Sequence, residues 1–484
     1  MMPGSVNILY VTSEAAPFAK TGGLADVSAA LPRYLRRAGH DVRVVMPLYS
    51  RVPGDSAAFE VAHRDLEIRL GAHRYDVAIV RGERPNDAPF YFVHCPALYR
   101  RASIYTNDPD EHLRFLVLVR AALEACQRMG FAPDVIHCND WQSALLPMIL
   151  QTRYAWDRLF QRARTLLAIH NLNYQGTFPA GIVPDTGISD SAHLFHQDQL
   201  HAGRVNFLLH GILYAHGICT VSPTYAHEIQ TETYGAGLDP FLRSRSSTVV
   251  GILNGVDYDE WSPEVDRHIP HKFSAVDLAG KARDKEALLA RMGLPHVAGV
   301  PVIGIVSRLA GQKGFALLEG LMAGLLRRHG FQLVVLGSGE RRFEAMFAQL
   351  ATAMPRQVGF YRGFSNELAH LIEAGSDMFL MPSVYEPCGL NQMYSLRYGT
   401  VPIVHRTGGL ADTVEPWSPG TGRGTGIVFD HHDAAGLQWA IEAALGVYRD
   451  RASWRQLMQN GMAKDFSWGA QGKLYEELYR RLCL

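Results

Sequence analysis

The chain has 484 residues, with Lys plus Arg and Asp plus Glu both at 47 and no formal net charge. That is two to three times a common domain of ~150 residues, so more than one hydrophobic core is expected, and a composition 47% hydrophobic and 19% charged excludes global disorder. No net positive field exists to hold a polyanion, so no nucleic-acid partner is expected.

The six cysteines, Cys95, Cys126, Cys138, Cys219, Cys388 and Cys483, show no C-x-x-C spacing, which argues against a disulfide framework or a zinc site and for a reducing, cytoplasmic setting. The N-terminal MMPGSVNILYVTSEAAPF lacks a basic leader, and its apolar run is short of the ~20 residues that span a bilayer. No membrane partner is expected.

In chain order, Val6 to Val11 reads as a buried strand, followed by a glycine loop, the helical pattern LADVSAALPRYLRRAG and a second strand from Asp41 to Met46. Strand, helix and strand make a βαβ unit, which requires a parallel sheet with a right-handed crossover. Further strands are expected at YFVHC near Tyr91, DVIHC near Asp134, TLLAIH ending at His170 and GICTVS ending at Ser222. The stretch 253–266, LNGVDYDEWSPEVD, combines Asn254-Gly255 with Pro263 and several acids, as a linker does. The same grammar restarts at Pro301: PVIGIVSRL as strand, GQKG as turn, FALLEGLMAGLLRRHG as one helix and FQLVVLGSGE as the next strand and loop. No short period recurs, so the echo is one of architecture. The expected fold class is α/β, two Rossmann-like doubly wound domains, residues 1–258 and 259–465, with an amphipathic helix in 466–484 packing back on the first.

In open α/β sheets ligands bind beyond the carboxyl ends of the strands, which selects the loops after each first strand. Gly22 and Gly23 allow close backbone approach, the following helix offers free N–H groups to an anion, and Lys20 adds charge. Arg308 and Lys313 flank the corresponding turn of the second half. Glu386, between an apolar strand and Gly389, is a carboxylate able to bind sugar hydroxyls or to face an oxocarbenium-like centre, with helix capping as its plainer use.

Together, KTGGLADV, HNLNYQG, SRLAGQKG, EPCGLNQ, RTGGLADTV and DFSW, in that order along essentially the whole chain, resemble the bacterial glycogen synthase and plant starch synthase family. The resemblance implies a retaining glucosyltransferase of GT-B type, its two domains facing one cleft. It implies ADP-glucose as donor and the non-reducing end of glycogen or another α-1,4-glucan as acceptor. Carried over residue by residue, it puts Lys20, Gly22 and Gly23 at the donor, Arg308 and Lys313 on the diphosphate, and Glu386 in the cleft with Cys388, Gly389 and Leu390 around the glucose. Asp140 falls near the glucosyl site with Trp141 packed behind it or lining the cleft, His170 beside the anomeric centre, Phe364 beside the adenine and Tyr99 facing substrate.

Some positions depart from the pattern. Asn391 stands where many relatives have threonine, whose backbone N–H and hydroxyl face the phosphate, and the resemblance keeps Asn391 at the substrate through its N–H. Tyr394, eight residues after Glu386, replaces the second glutamate of an E-x7-E motif, and Val384 and Tyr385 replace a more usual Arg-Phe as packing variation. No Asp-x-Asp metal motif appears at a strand end, so neither metal nor cofactor is expected. The preferred course is same-face attack, in which the leaving phosphate oxygen takes the acceptor's proton. Related retaining glucosyltransferases that use UDP-glucose or a small acceptor remain the alternative. A nucleotide-dependent dehydrogenase fails on the absence of G-x-G-x-x-G in residues 20 to 26. A non-catalytic glucan-binding protein is disfavoured by intact Lys20, Arg308, Lys313 and Glu386.

Overall fold

A computed structural model describes residues 5–50, 58–83 and 87–484. The chain divides into two compact units, Met1–Gly255 with Trp468–Leu484, and Val256–Ser467.

The first unit is built on the strands β1 (Asn7–Val11), β2 (Asp41–Pro47), β3 (Ala58–Leu70), β4 (His73–Glu83), β5 (Phe90–His94), β6 (Val135–Asn139) and β7 (Arg164–Ile169). A short ribbon, β8 (Thr177–Pro179) with β9 (Arg204–Asn206), precedes β10 (Gly217–Thr220) and β11 (Val249–Gly251). Nine of them form one sheet in the order β11-β10-β7-β6-β1-β2-β5-β4-β3. The strands from β11 to β5 run parallel. Ile8 to Val11 are completely buried, as suits strands covered by helices on both faces. The order reverses at β1, which pairs with β2 on one side and β6 on the other. The loops after β1, β6 and β7 therefore leave the sheet along the same edge.

One feature of this unit escapes the sequence reading. The edge is a long antiparallel hairpin, β3 with β4, tightened at Gly71. Its buried Leu66, Ile68 and Leu70 alternate with exposed Glu67 and Arg69, a period-2 signal that was there to be read. The helix Trp468–Cys483 lies on the unit's own helix Gly23–Arg37, where a Cβ on Gly472 would come within 2.2 Å of the Tyr34 ring.

The second unit carries a six-stranded, wholly parallel sheet of β12 (Val302–Leu309), β13 (Gln332–Gly339), β14 (Val358–Arg362), β15 (Met378–Met381), β16 (Val401–His405) and β17 (Ile427–Phe429), ordered β14-β13-β12-β15-β16-β17. Apolar clusters cover its faces, one containing Ile303, Leu333, Leu380 and Ile403, the other Val302, Val334, Phe379 and Val404. The order reverses at β12, so the loops after β12 and β15 are neighbours. The single helix expected over 315–330 is broken. A 3₁₀ turn at Phe315–Leu318 ends before Gly320, whose φ of 72° is left-handed, and an α-helix resumes at Met322–His329. Apolar spacing runs through the break, but the helical backbone does not.

Candidate active site

In the second unit, Arg308 closes β12 and Lys313 follows on the turn Gly311–Lys313. Gly314 then adopts φ 73°, and a Cβ there would sit 1.7 Å from the Pro382 carbonyl oxygen. Only glycine permits that approach, which presses the Lys313 turn onto the loop leading from β15 to Glu386. The Val384 N–H donates to the Gln312 carbonyl (2.9 Å) and the Gln312 side-chain amide to the Tyr385 carbonyl (3.3 Å). The two loops are thus stitched by one backbone and one side-chain hydrogen bond next to the charged pair.

That pair is Lys313 and Glu386. The ammonium Nζ lies 2.6 Å from Oε2, with side-chain exposures of 19% and 7%, and Ser383 Oγ donates to the same oxygen at 3.0 Å. Arg308 is exposed, and among the described residues no carboxylate pairs with it. The loops after β12 and β15 therefore bring together one fixed ammonium and one fixed carboxylate, with the exposed Arg308 guanidinium at the end of β12. An ammonium about 4 Å from a phosphate is worth ~4 kcal/mol at an effective dielectric near 20, against ~1 kcal/mol in bulk water.

The residues after Glu386 are placed less uniformly than the sequence suggests. Cys388 is buried and Gly389 left-handed at φ 72°, while Leu390 is half-buried. The Asn391 side-chain amide donates to the Val306 carbonyl at 2.7 Å, so it ties the helix Asn391–Arg397 to β12 rather than projecting as threonine's hydroxyl would. Tyr394 is buried and stacks on Trp261 with ring centroids 3.9 Å apart. Phe364, by contrast, is 74% exposed just beyond β14.

In the first unit, Lys20 Nζ is 2.7 Å from Asp26 on the first turn of the helix Gly23–Arg37. Gly22 is extended, with φ −160°, and a Cβ there would meet no atom within 4 Å. Neither backbone nor packing accounts for glycine at 22. The loop itself is anchored by buried Glu14, which accepts from the Thr21 N–H, from Thr21 Oγ1 (2.6 Å) and from the Tyr105 hydroxyl. Glu14 and Tyr105 were missed in the sequence because neither belongs to the glycine motif. Glu14 is, however, the acid directly after the Thr12-Ser13 strand end.

At the end of β6, Asp140 takes a left-handed φ of 52° and is 9% exposed. Its Oδ1 accepts from the backbone N–H groups of His170 (2.7 Å) and Asn171 (3.4 Å). Burial pushes its carboxyl up to about 7 despite these two bonds. His170 Nε2 is 2.9 Å from Asn139 Oδ1, an acceptor that fixes the proton on Nε2 and leaves the lone pair on Nδ1. Burial lowers His170 to about 4, so it is neutral at pH 7.

Of the two placements expected for Trp141 the structure shows the packed one, among Phe115, Phe178 and Phe207. One expectation is corrected here. Tyr99 does not face outward: it is 1% exposed, and its hydroxyl donates to the Arg114 carbonyl at 2.7 Å. The aromatic core of the unit claims both rings.

Known proteins resemble this chain over nearly all of its length. Residues 7–244 match the family model of the starch synthase catalytic domain, and residues 291–460 that of glycosyl transferases group 1. A glycogen synthase of Koribacter versatilis (strain Ellin345) is 46% identical over 480 residues, 98% of each chain. One from Anaeromyxobacter sp. (strain Fw109-5) is 44% identical over 484 residues, 99% of each. Among solved structures, the catalytic domain of starch synthase IV from Arabidopsis thaliana, bound to ADP and acarbose, has a TM-score of 0.91 at 34% identity and 99% coverage of both chains. A sucrose-phosphate synthase from Thermosynechococcus elongatus, at 19% identity and a TM-score of 0.62, shares the fold. Two doubly wound units of GT-B class and whole-length identity of this order lead to one assignment: the chain belongs to the glycogen synthase and starch synthase family of glycosyltransferases.

Proposed function

We propose that this protein is a glycogen synthase, transferring glucose from ADP-glucose to the non-reducing end of an α-1,4-glucan with retention at the anomeric carbon. The observation that carries the assignment of roles is the Lys313–Glu386 pair, fixed by the stitched loops after β12 and β15, with Arg308 near the end of β12. In the reaction the bond from glucose C1 to the donor's phosphate oxygen breaks and a bond from C1 to the acceptor's 4-oxygen forms. The acceptor's hydroxyl proton passes to the departing ADP. Lys313 and Arg308 bind the diphosphate and stabilise the charge that grows on it as the bond breaks. Glu386 holds Lys313 in place and faces the glucosyl unit as positive charge develops there. These side chains supply the charge compensation with no metal invoked in the step.

The glycine loop with Lys20, Gly22 and Gly23 is proposed to contact the same donor, and Phe364 to lie against its adenine. Neutral His170, with a lone pair on Nδ1, is available to accept a hydroxyl hydrogen bond, and Asp140 positions it through its backbone. Free cysteines, five of the six buried, suit a cytoplasmic enzyme, and no helix among the described residues is long and apolar enough to cross a membrane.

The test is transfer of labelled glucose from ADP-glucose or UDP-glucose to glycogen by the purified protein, with digestion of the product by an α-1,4-specific exoglucanase. Incorporation from ADP-glucose into a digestible chain is the expected result. Transfer from neither donor defeats the proposal, and preference for UDP-glucose defeats its donor assignment.

A further inference from the structure

Glu260, His268 and His370 each bring one donor atom to a common point in the second unit, all within 4.8 Å of one another. His370 lies on the helix Asn366–Gly375 and is completely buried. Its Nδ1 is 2.8 Å from Asp266 Oδ2. Asp266 also accepts from the Tyr398 hydroxyl at 2.5 Å and from the His268 N–H at 2.8 Å. A carboxylate with that many donors is an acceptor towards the imidazole, so the His370 proton sits on Nδ1 and the lone pair on Nε2. That Nε2 is buried and has no hydrogen-bond partner. It points instead towards Glu260, 3.9 Å from Oε1. The ring cannot turn away: Trp261 stacks on it at 3.6 Å between centroids and 13° between planes.

His268 completes the set, its ring centroid 4.6 Å from that of His370. The groups nearest its Nε2 are N–H donors, Asn366 Nδ2 at 3.4 Å and Arg267 Nε at 3.5 Å, so this nitrogen also carries a lone pair. Arg267 is exposed and free to turn into solvent when a cation arrives.

We infer that Glu260, His268 and His370 form a zinc site, with Asp266 orienting His370 from behind as carboxylates do behind zinc-bound imidazoles. Two imidazole nitrogens and one carboxylate oxygen are a zinc donor set with a fourth position left for water. Ligands ~2.0–2.1 Å from a tetrahedral ion stand about 3.4 Å apart. The donors therefore close by about 1 Å or slightly more, and the closing falls on exposed Glu260 and half-buried His268, not on His370. The bound ion fastens the segment that enters the second unit, 256–268, to the helix Asn366–Gly375. No close-spaced ligand motif hints at it, because the three residues meet only in the fold.

The experiment uses the full-length protein, stripped with chelator and titrated with zinc chloride by calorimetry, with bound metal counted by mass spectrometry. One tight equivalent is expected, weakened at least about tenfold in Glu260→Gln and in His268→Ala. His296→Ala, which removes a surface histidine 3.9 Å from Glu286, is expected to bind zinc as the parent does. Zinc should also raise the melting temperature of the parent and not that of the Glu260→Gln/His268→Ala double variant. Identical isotherms for the parent and both ligand variants, or no saturable zinc uptake by the parent, overturn the inference and leave the His370 Nε2 to a buried water.

Discussion

Replacing Lys313 by alanine separates the two uses of its ion pair. In the folded protein the ammonium is 2.6 Å from Glu386 Oε2, and the carboxylate it leaves behind is only 7% exposed with Ser383 Oγ as its remaining side-chain donor. Breaking a buried pair from one side costs about 3–5 kcal/mol. The 19% exposure of Lys313 lets water reach the carboxylate, so a loss of about 1–3 kcal/mol of folding stability is expected. Loss of one preorganised group facing transition-state charge costs turnover about 10²-fold, or ~2.7 kcal/mol on the barrier. The two effects come apart in the double variant Lys313→Ala/Glu386→Ala. Removing both charges should recover stability towards the parent through their coupling, while turnover stays at or below that of the single variant. The assays are urea unfolding for stability and initial rates at saturating ADP-glucose and glycogen for turnover. A Lys313→Ala enzyme with near-normal turnover refutes the catalytic role, whatever happens to its stability.

Gly22→Ala tests whether the glycine loop answers to the donor or to the fold. The extended backbone and open space around Gly22 predict unchanged stability, or a gain of about 0.4–1 kcal/mol from a less flexible unfolded chain, with kcat/KM for ADP-glucose down at least about tenfold; normal kcat/KM removes Gly22 from the site. Asp140 carries a pH signature. Its carboxyl is raised by burial from an ordinary value of 3.8 to about 7, so the native state holds a proton that the unfolded chain releases earlier. Stability from this group is present below about pH 4 and is lost as pH rises to about 7. Asp140→Asn should flatten that part of the profile, so the variant gains on the parent between pH 4 and 7; parallel melting curves across that range contradict it.

What the sequence made legible follows physical reach. The parallel strands were readable because burial on both faces leaves a continuous apolar run, as in Leu9 to Val11 and Val302 to Ile305. The break at Gly320 was hidden because hydrophobic spacing reports which face is covered, not which backbone angles a glycine takes. Lys313 and Glu386 stand in separate motifs, and only the resemblance to a family joined them; the 2.6 Å contact needs the strand order to bring their loops together. Glu14 was missed because its role is to hold a neighbouring loop, which no spacing rule encodes. Tyr99 was placed by motif, but a ring in a well-packed core is claimed by its neighbours, here the Arg114 carbonyl, just as Trp141 sits within a cluster of phenylalanines.

The interruption of the first unit by the second sets the order in which the protein is completed. A ribosome delivers Val256–Ser467 before Trp468–Leu484. Until that last stretch emerges, His137 on β6 lacks the Tyr479 hydroxyl 2.7 Å from its Nδ1, and Tyr34 lacks Glu476. Gly255, where the chain leaves the unit, also waits for Trp468, against which a Cβ would come within 2.5 Å. The half of the molecule translated first is thus the last to close its core. A lesion in Trp468–Leu484 acts on the amino-terminal part of the unit, as at Tyr34 and Glu476, 442 residues apart along the chain but hydrogen-bonded in the fold.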